Sequence, residues 1–319
     1  MIRFMASTSL VSLRMGHSPD PDDAFMWWPL VPNHTGRTPL DTGRFTFETI
    51  ARDIEELNEL SESAALEITA MSCAQYPRVC NRYVLTACGA SMGDGYGPKI
   101  IARRELDLQQ LAAGDVRIAI PGTRTSAWTA LQLMLGPSAI RAEAVPFDAI
   151  ISRVAAGEFD AGLVIHEGQI TYESAGLRLV ADLGQWWKAR TGLPLPLGVN
   201  AVRRDLDEIH GSGTIRALAG LLRRSVEFAM ANRTQALEYA LQFGRDLDQS
   251  LAGRFVDMYV NKWTLQFGRL GEQAITRFLT EAAQAGILPE VRSLDVVGAA
   301  DSDTVRERAI GNRQWGEGQ

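Results

Sequence analysis

Short apolar runs alternate with amphipathic segments over roughly the first two hundred residues of the chain. The runs at 10–15, 45–51, 67–72 and 116–121 have the length and the β-branched or alternating content of β-strands. The segment 53–64 places its apolar residues about one turn apart and predicts a helix. Strands that alternate with helices in this way indicate an α/β fold with parallel, doubly wound sheets.

The last third of the chain follows a helical pattern instead. Helices are predicted at 215–231, 233–243, 252–260 and 271–285. The tail after Ile310 is polar, contains three glycines, and is predicted to be disordered. The pattern therefore changes from α/β to helical near residue 214.

His166 directly follows a predicted buried strand at 161–165. Ligands of open α/β sheets lie in the crevice beyond the carboxyl ends of the strands. An imidazole at such a position can act as a general base, because its unperturbed pKa is about 6.5. The alternative is a histidine that binds loop carbonyls.

The segment 16–28, GHSPDPDDAFMWW, predicts a proline-rich loop that leads into a helix. Ser18, Asp20, Asp22 and Asp23 are helix-capping residue types. Backbone N–H groups at a helix start favour an anionic or carboxylate ligand. Two alternatives are a plain cap and, less favoured, a divalent cation held by the three carboxylates.

The segment 122–127, GTRTSA, follows the predicted strand at 116–121 and opens the next helix. The hydroxyls of Thr123, Thr125 and Ser126 at a helix start can bind an oxyanion. The alternative is simple N-capping, which would use one hydroxyl and leave two unexplained.

Charge and composition exclude several classes of function. The formal net charge is −6 at pH 7, which argues against a nucleic-acid-binding face. No apolar run approaches the roughly 18 to 20 residues of a membrane span. The apolar character of residues 1–12 is diluted by Ser and Thr, so we expect no export signal and a cytoplasmic location. Cys73, Cys80 and Cys88 have no zinc-site spacing, and no metal site is predicted.

Four sequence blocks occur in a fixed order: VIHEG at 164–168, LVADLGQWW at 179–187, TGLPLPLG at 191–198 and RRDL at 203–206. This succession resembles the 1,4-dihydroxy-6-naphthoate synthase family of the futalosine route to menaquinone. The resemblance implies a two-lobed α/β fold of the type II periplasmic-binding-protein kind, with a mixed, mainly parallel sheet in each lobe and a cleft between them. One lobe is expected to combine 1–98 with 201–319, and the other to span 99–200.

The same resemblance implies a function. Members of the family convert cyclic dehypoxanthinyl futalosine to dihydroxynaphthoate by carbon–carbon cleavage, with no metal or organic cofactor. His166 would be the general base, acting on a carboxylate-bearing small molecule. The implied substrate-binding residues are Ser18, Asp22, Ala70, Met71, Ser72, Thr125 and Ser126.

The chain departs from the family at two places. Asp20, Asp22 and Ala24 stand where the family motif SPCPNDTF has Cys, Asn and Thr, and Ala70 replaces a usual lysine. These changes leave two alternatives: a non-catalytic binding protein for small anions, and the sister chorismate dehydratase on the same fold. Fold alone does not distinguish them.

Overall fold

Two β-sheets, built from different parts of the chain, carry the helices and enclose a cavity between them. The computed structural model describes residues 10–136, 140–243 and 249–298. The predicted disorder after Ile310 lies outside these residues. The described strands are β1 Val11–His17, β2 Phe45–Ala51, β3 Ile68–Ser72, β4 Tyr83–Thr86, β5 Ser91–Gly93, β6 Lys99–Ala102, β7 Arg117–Ile120, β8 Arg141–Ala144, β9 Ala161–Val164, β10 Arg178–Asp182, β11 Leu195–Arg203 and β12 Val296–Val297.

The helices lie between the strands in the first two thirds of the chain and dominate the last third. They are α1 Pro21–Trp27, α2 Ile54–Glu62, α3 Tyr76–Val79, α4 Leu108–Ala112, α5 Ser126–Leu135, α6 Ile150–Ala155, α7 Gly168–Thr171, α8 Leu183–Thr191, α9 Leu206–His210, α10 Thr214–Ala231, α11 Arg233–Ala240, α12 Gln249–Tyr259, α13 Lys262–Leu265 and α14 Gly268–Gln284. Within the described residues, no helix is both long and apolar enough to cross a membrane.

The first sheet has the order β12-β4-β11-β3-β1-β2, with β5 paired to β11. The second sheet has the order β10-β6-β9-β7-β8. The lobe boundaries at 98/99 and 200/201 remain a prediction. The strand β11 runs through the second of these positions.

Both sheets are mixed, but they contain fewer parallel pairings than predicted. Among the described strands, parallel and antiparallel pairings are equally frequent in each sheet. Every antiparallel pairing there involves β6 or β11, the first strand after the chain passes from one sheet to the other. The alternation of strands and helices along the sequence does not predict these antiparallel pairings, because it carries no information about where the chain passes from one sheet to the other.

Two strands have sequences that do not mark them clearly. The strand β8, Arg141–Ala144, precedes a 3-10 turn at Phe147–Ala149. This strand lies at the edge of the second sheet and is largely exposed, so its sequence lacks an apolar signal. The proline-containing block TGLPLPLG runs into the strand β11, which tolerates Pro196 beside an irregularity in its pairing with β5.

Buried aromatic residues fix the helical third against the crossings. The indole N–H of Trp187 on α8 donates to the carbonyl of Pro194 at 3.1 Å. The same indole packs edge-on against Phe278 of α14, with ring centroids 5.6 Å apart. The segment around Pro194, where the chain passes from the second sheet back to the first, is thereby held between α8 and α14. This keeps the two sheets facing the same cavity.

Candidate active site

The cavity between the sheets is lined by every residue that the family resemblance implied as catalytic or substrate-binding. These are Ser18, Asp22, Ala70, Met71, Ser72, Thr125, Ser126 and His166. Thr123, whose hydroxyl was also a candidate for binding an oxyanion, is exposed and does not line the cavity. The cavity encloses about 90 Å³, whereas ligand pockets typically hold roughly 300–1,000 Å³. This volume is smaller than that of a typical ligand pocket, which indicates a closed cleft.

His166 lies two residues beyond the end of β9, in a left-handed backbone conformation with φ of 50°. A residue other than glycine rarely adopts this conformation, which costs about 1–2 kcal/mol. The ring does not bind loop carbonyls, in contrast to the alternative raised from the sequence. Its Nδ1 lies 2.8 Å from Oδ2 of Asp20. Its Nε2 is buried and has no hydrogen-bond partner among the described residues.

The pKa of His166 differs from the unperturbed value on which the prediction of a base relied. Burial alone lowers it, but the charge and hydrogen bond of Asp20, with smaller contributions from Glu167 and Asp22, outweigh burial and raise the pKa to about 9. The ring of Phe147 packs edge-on against the imidazole at a centroid distance of 4.9 Å. At neutral pH the ligand-free imidazole is consequently protonated.

The three aspartates at the start of α1 have three different partners. Asp20 is the N-cap residue, but its side chain makes no capping hydrogen bond and pairs with His166 instead. Asp23 accepts from the backbone N–H and the hydroxyl of Ser18, at 2.8 and 2.9 Å. Asp22 accepts from the hydroxyl of Ser91 at 3.2 Å. Within the described residues, His, Cys, Asp and Glu side chains form no group that could hold a metal ion.

Asp22 is a carboxyl group that stays protonated at neutral pH. Burial, followed by the charges of Asp23 and Asp20, raises its pKa to about 8. Burial also raises the pKa of Asp23, although hydrogen bonds from Ser18 oppose the shift. A neutral carboxylic acid has an O–H group that can donate to a ligand oxygen.

The end of β3 contributes a rigid wall to the cavity. Ser72 is fixed by Asn58 of α2, which accepts from the Ser72 N–H at 2.8 Å and donates to its hydroxyl at 3.1 Å. Ala70 and Met71 pair with Asn200 and Val199 of β11. The alanine methyl leaves space where the resembled family would place a lysine.

The hydroxyls at the start of α5 already have protein partners. Thr125 caps the helix, since its hydroxyl accepts from the N–H of Trp128 at 3.1 Å and donates to Gly122 at 3.0 Å. Ser126 joins the two sheets, donating to Leu197 at 2.6 Å and accepting from Ala74 at 3.2 Å. Both line the cavity, so a ligand oxygen would have to compete with these partners.

The family is decided by the sequence match. The profile of the menaquinone biosynthesis family matches residues 13–284. The chain belongs to this family.

Two menaquinone-family relatives match over nearly their full length, and both are named 1,4-dihydroxy-6-naphthoate synthase. The relative from Thermus thermophilus is 39% identical, covering 89% of this chain and 99% of the relative. The relative from Streptomyces coelicolor is 32% identical, covering 87% and 95%. The chain is accordingly an enzyme of menaquinone biosynthesis, and the predicted family resemblance is confirmed.

Solved structures agree with the predicted fold. A crystal structure of a protein from Archaeoglobus fulgidus is 40% identical, with a TM-score of 0.77 and coverage of 87% of this chain and 98% of that chain. A Candida albicans protein described as having the generic periplasmic binding protein fold is 12% identical, with a TM-score of 0.62 and coverage of 92% and 99%. The menaquinone-family chain thus has the periplasmic-binding-protein fold.

Some lining residues of this menaquinone-family chain were not predicted as site residues. Asp20 was interpreted as a helix cap, although its position one helical turn from Asp23 was visible in the sequence. Phe255 and Tyr259 reach the cavity from α12, and the Tyr259 hydroxyl lies 2.8 Å from the side-chain amide of Gln169. No sequence motif links α12 to the cavity, because the contact depends on tertiary packing alone.

Proposed function

We propose that this chain is a carbon–carbon lyase that converts cyclic dehypoxanthinyl futalosine to 1,4-dihydroxy-6-naphthoate, with His166 as the general base. The observation that carries the proposal is the state of the His166 ring. One nitrogen is held by Asp20, and the other lines a cavity without a described protein partner. This is the arrangement of an oriented base that awaits a substrate proton.

The proposed step moves one proton and breaks one carbon–carbon bond. Nε2 of His166 takes the proton of a hydroxyl on the sugar-derived ring. The electron pair left on that oxygen forms a carbonyl as the adjacent carbon–carbon bond breaks. The electrons of the broken bond enter the bicycle, which becomes aromatic and supplies the driving force.

The protonation state of His166 sets the pH at which this chemistry runs. Because the ligand-free imidazole has a pKa of about 9, only a small fraction is in the basic form at neutral pH. That fraction rises tenfold per pH unit below the pKa. We therefore expect kcat/KM to rise with pH up to about 8, above which ionisation of Asp22 offsets the further gain.

The substrate's carboxylate would be recognised without a basic side chain, since the described lining residues include no lysine or arginine. The protonated Asp22 supplies a donor for it. Ser18, Ala70, Met71, Ser72, Thr125 and Ser126 would complete the binding surface. The ligand would displace part of the Ser126 contacts that now join the sheets.

The test is a direct assay for the product. The purified wild type, a His166→Ala variant and a His34→Ala control, which replaces an exposed histidine, are incubated with cyclic dehypoxanthinyl futalosine, and dihydroxynaphthoate is measured by mass spectrometry. We expect product from the wild type and control, and a loss of about 10²-fold or more in His166→Ala.

Other outcomes point to other functions. Undiminished product in His166→Ala would remove this residue from the mechanism. Consumption of chorismate, assayed in parallel, would assign the sister dehydratase activity. No turnover of either compound by folded protein, combined with binding of small anions, would identify a binding protein.

A further inference from the structure

The two members of the Asp20–His166 pair come from opposite sides of the cavity. Asp20 lies between β1 and α1, beside the first sheet, and His166 follows β9 of the second sheet. The 2.8 Å contact between their side chains therefore bridges the cleft. Any motion that admits a ligand by separating the sheets also separates this pair.

The local structure places the Asp20 carboxylate toward the ring rather than toward its own helix. Asp20 is 2% exposed and has extended backbone geometry, with φ of −103° and ψ of 149°. The Asp20 side chain makes no capping hydrogen bond to α1, which begins at Pro21. His166 in turn adopts its left-handed conformation with Nδ1 facing that carboxylate.

We propose that Asp20 is the positioning residue for the His166 base, and that the base is assembled only when the two sheets close on the cavity. The catalytic meaning of the pair rests on the function proposed above. The pair itself can be measured in the ligand-free protein.

The chemical reason follows from the two ring nitrogens. A carboxylate that accepts from Nδ1–H fixes the tautomer, so that Nε2 is the nitrogen presented to the substrate. It also stabilises the imidazolium that forms when Nε2 takes a proton. The resembled family has cysteine at this position, so this chain has added a charged partner to its base.

Other charged groups face the imidazole and must be considered in any titration. Asp22 approaches from α1, Asp53 from the start of α2, and Glu167 from the same loop. All carry or can acquire negative charge, so they act in the same direction as Asp20. The contribution of Asp20 is isolated by changing it alone.

The first experiment follows the ring nitrogens of His166 by NMR in ligand-free protein. The chain has four histidines, and a His166→Gln spectrum identifies the signal of interest. In the wild type the ring should stay protonated up to about pH 9. The Asp20→Asn variant keeps the size of the side chain and a hydrogen-bond acceptor but removes the charge. In this variant the His166 ring should lose its proton at least about one pH unit lower than in the wild type. The control Asp41→Asn removes an exposed carboxylate and should leave the titration unchanged.

The second experiment compares the pH profiles of kcat/KM. The kcat/KM of the wild type should rise up to about pH 8, where ionisation of Asp22 offsets the gain, whereas that of Asp20→Asn should level off at lower pH and about 10²-fold lower. Asp20→Glu, which restores the charge, should recover part of the plateau value of kcat/KM. Its profile should level off at the same pH as that of the wild type. A merely structural role would lower the plateau without moving it along the pH axis.

The outcomes separate the two proposals. A His166 titration that is identical in the wild type and Asp20→Asn would overturn the positioning role. An NMR shift without product from any variant would support the pair and refute the proposed reaction. Product formation with identical pH profiles in the wild type and Asp20→Asn would support the reaction and overturn the role of Asp20.

Discussion

The guanidinium of Arg124, just before α5, donates to the carboxylate of Glu62 on α2, with Nε and Oε1 2.9 Å apart. The same guanidinium lies 3.4 Å from Glu55 and 3.1 Å from Glu59 on that helix. The hydrogen bond from Arg124 lowers the pKa of Glu62. Because α2 follows β2 of the first sheet and Arg124 follows β7 of the second, these ion pairs connect the two sides of the cleft.

Removal of this charge should favour the open cleft. We expect Arg124→Gln to weaken closure by about 1 kcal/mol, the upper range for partly exposed ion pairs, and so to raise the population of the open cleft about fivefold. Small-angle X-ray scattering of the ligand-free protein should show a larger radius of gyration. The matched control is Arg117→Gln, whose partner Glu143 lies within the second sheet at 3.0 Å. Equal radii of gyration for the two variants would contradict this role of Arg124.

The left-handed backbone at His166 should make glycine more stable than alanine there. Both His166→Gly and His166→Ala lose the imidazole and its contact with Phe147, so their difference isolates the backbone. With φ of 50°, alanine retains a Cβ that opposes this conformation, and glycine should be more stable by about 1 kcal/mol. Urea unfolding of the two variants measures the difference. A glycine variant that unfolds at lower urea than the alanine variant would refute strain at this position.

Ligand affinity should fall as Asp22 ionises. Below its pKa of about 8 the carboxyl is neutral and can donate to an anion, whereas above it the group adds negative charge to the cavity. The Kd for 1,4-dihydroxy-6-naphthoate, measured by calorimetry, should therefore rise by up to about tenfold per pH unit above 8.

The matched variant for this measurement is Asp22→Asn, which installs the neutral residue of the resembled family. The Kd of this variant should not change near pH 8. Only the loss of affinity near pH 9, where His166 loses its charge, should remain. A wild-type Kd that is constant between pH 7 and about 8.5 would rule out the donor role of Asp22.

Gly184 should not tolerate a side chain, although its backbone angle is ordinary. A Cβ at this position would overlap the carbonyl group of Tyr96 and the nitrogen of Gly97 in the crossing between the sheets. We expect Gly184→Ala to lower the free energy of unfolding by about 3 kcal/mol. Gly220→Ala is the control, because a Cβ in the middle of α10 would meet only Arg224 at 3.7 Å. The free energy of unfolding of that control should rise by up to about 1 kcal/mol. Equal stabilities of the two variants in thermal unfolding would contradict the steric argument.

The fold was predictable because its signals are local and ordered. The strand before His166 is a short apolar run, and the blocks from VIHEG to RRDL occur in one order, so both could be recognised without tertiary contacts. The strand β8 could not be placed, because an exposed edge strand has no apolar alternation. The antiparallel direction of β6 and β11 is a property of the crossings, which periodicity does not encode.

Many of the residues that line the cavity were predictable, whereas their electrostatics were not. His166, Ser72 and Thr125 follow strand ends or open a helix, which places them at one cavity by rule. The pKa of His166 depends on Asp20, a residue from the other sheet that was interpreted as a cap. Phe255 and Tyr259 come from a helix whose approach to the cavity leaves no trace in local sequence.

The position of β11 has a consequence for how the chain folds during synthesis. This strand lies between β3 and β4 in the first sheet, although it follows them by more than a hundred residues. Until the ribosome has released residues up to about 203, β3 and β4 each expose a backbone edge that is competent to pair with other chains. The second sheet is contiguous from β6 to β10 and can form earlier. A chain that pauses between β10 and β11 is therefore the species most exposed to aggregation, and chaperone demand should be greatest at that length.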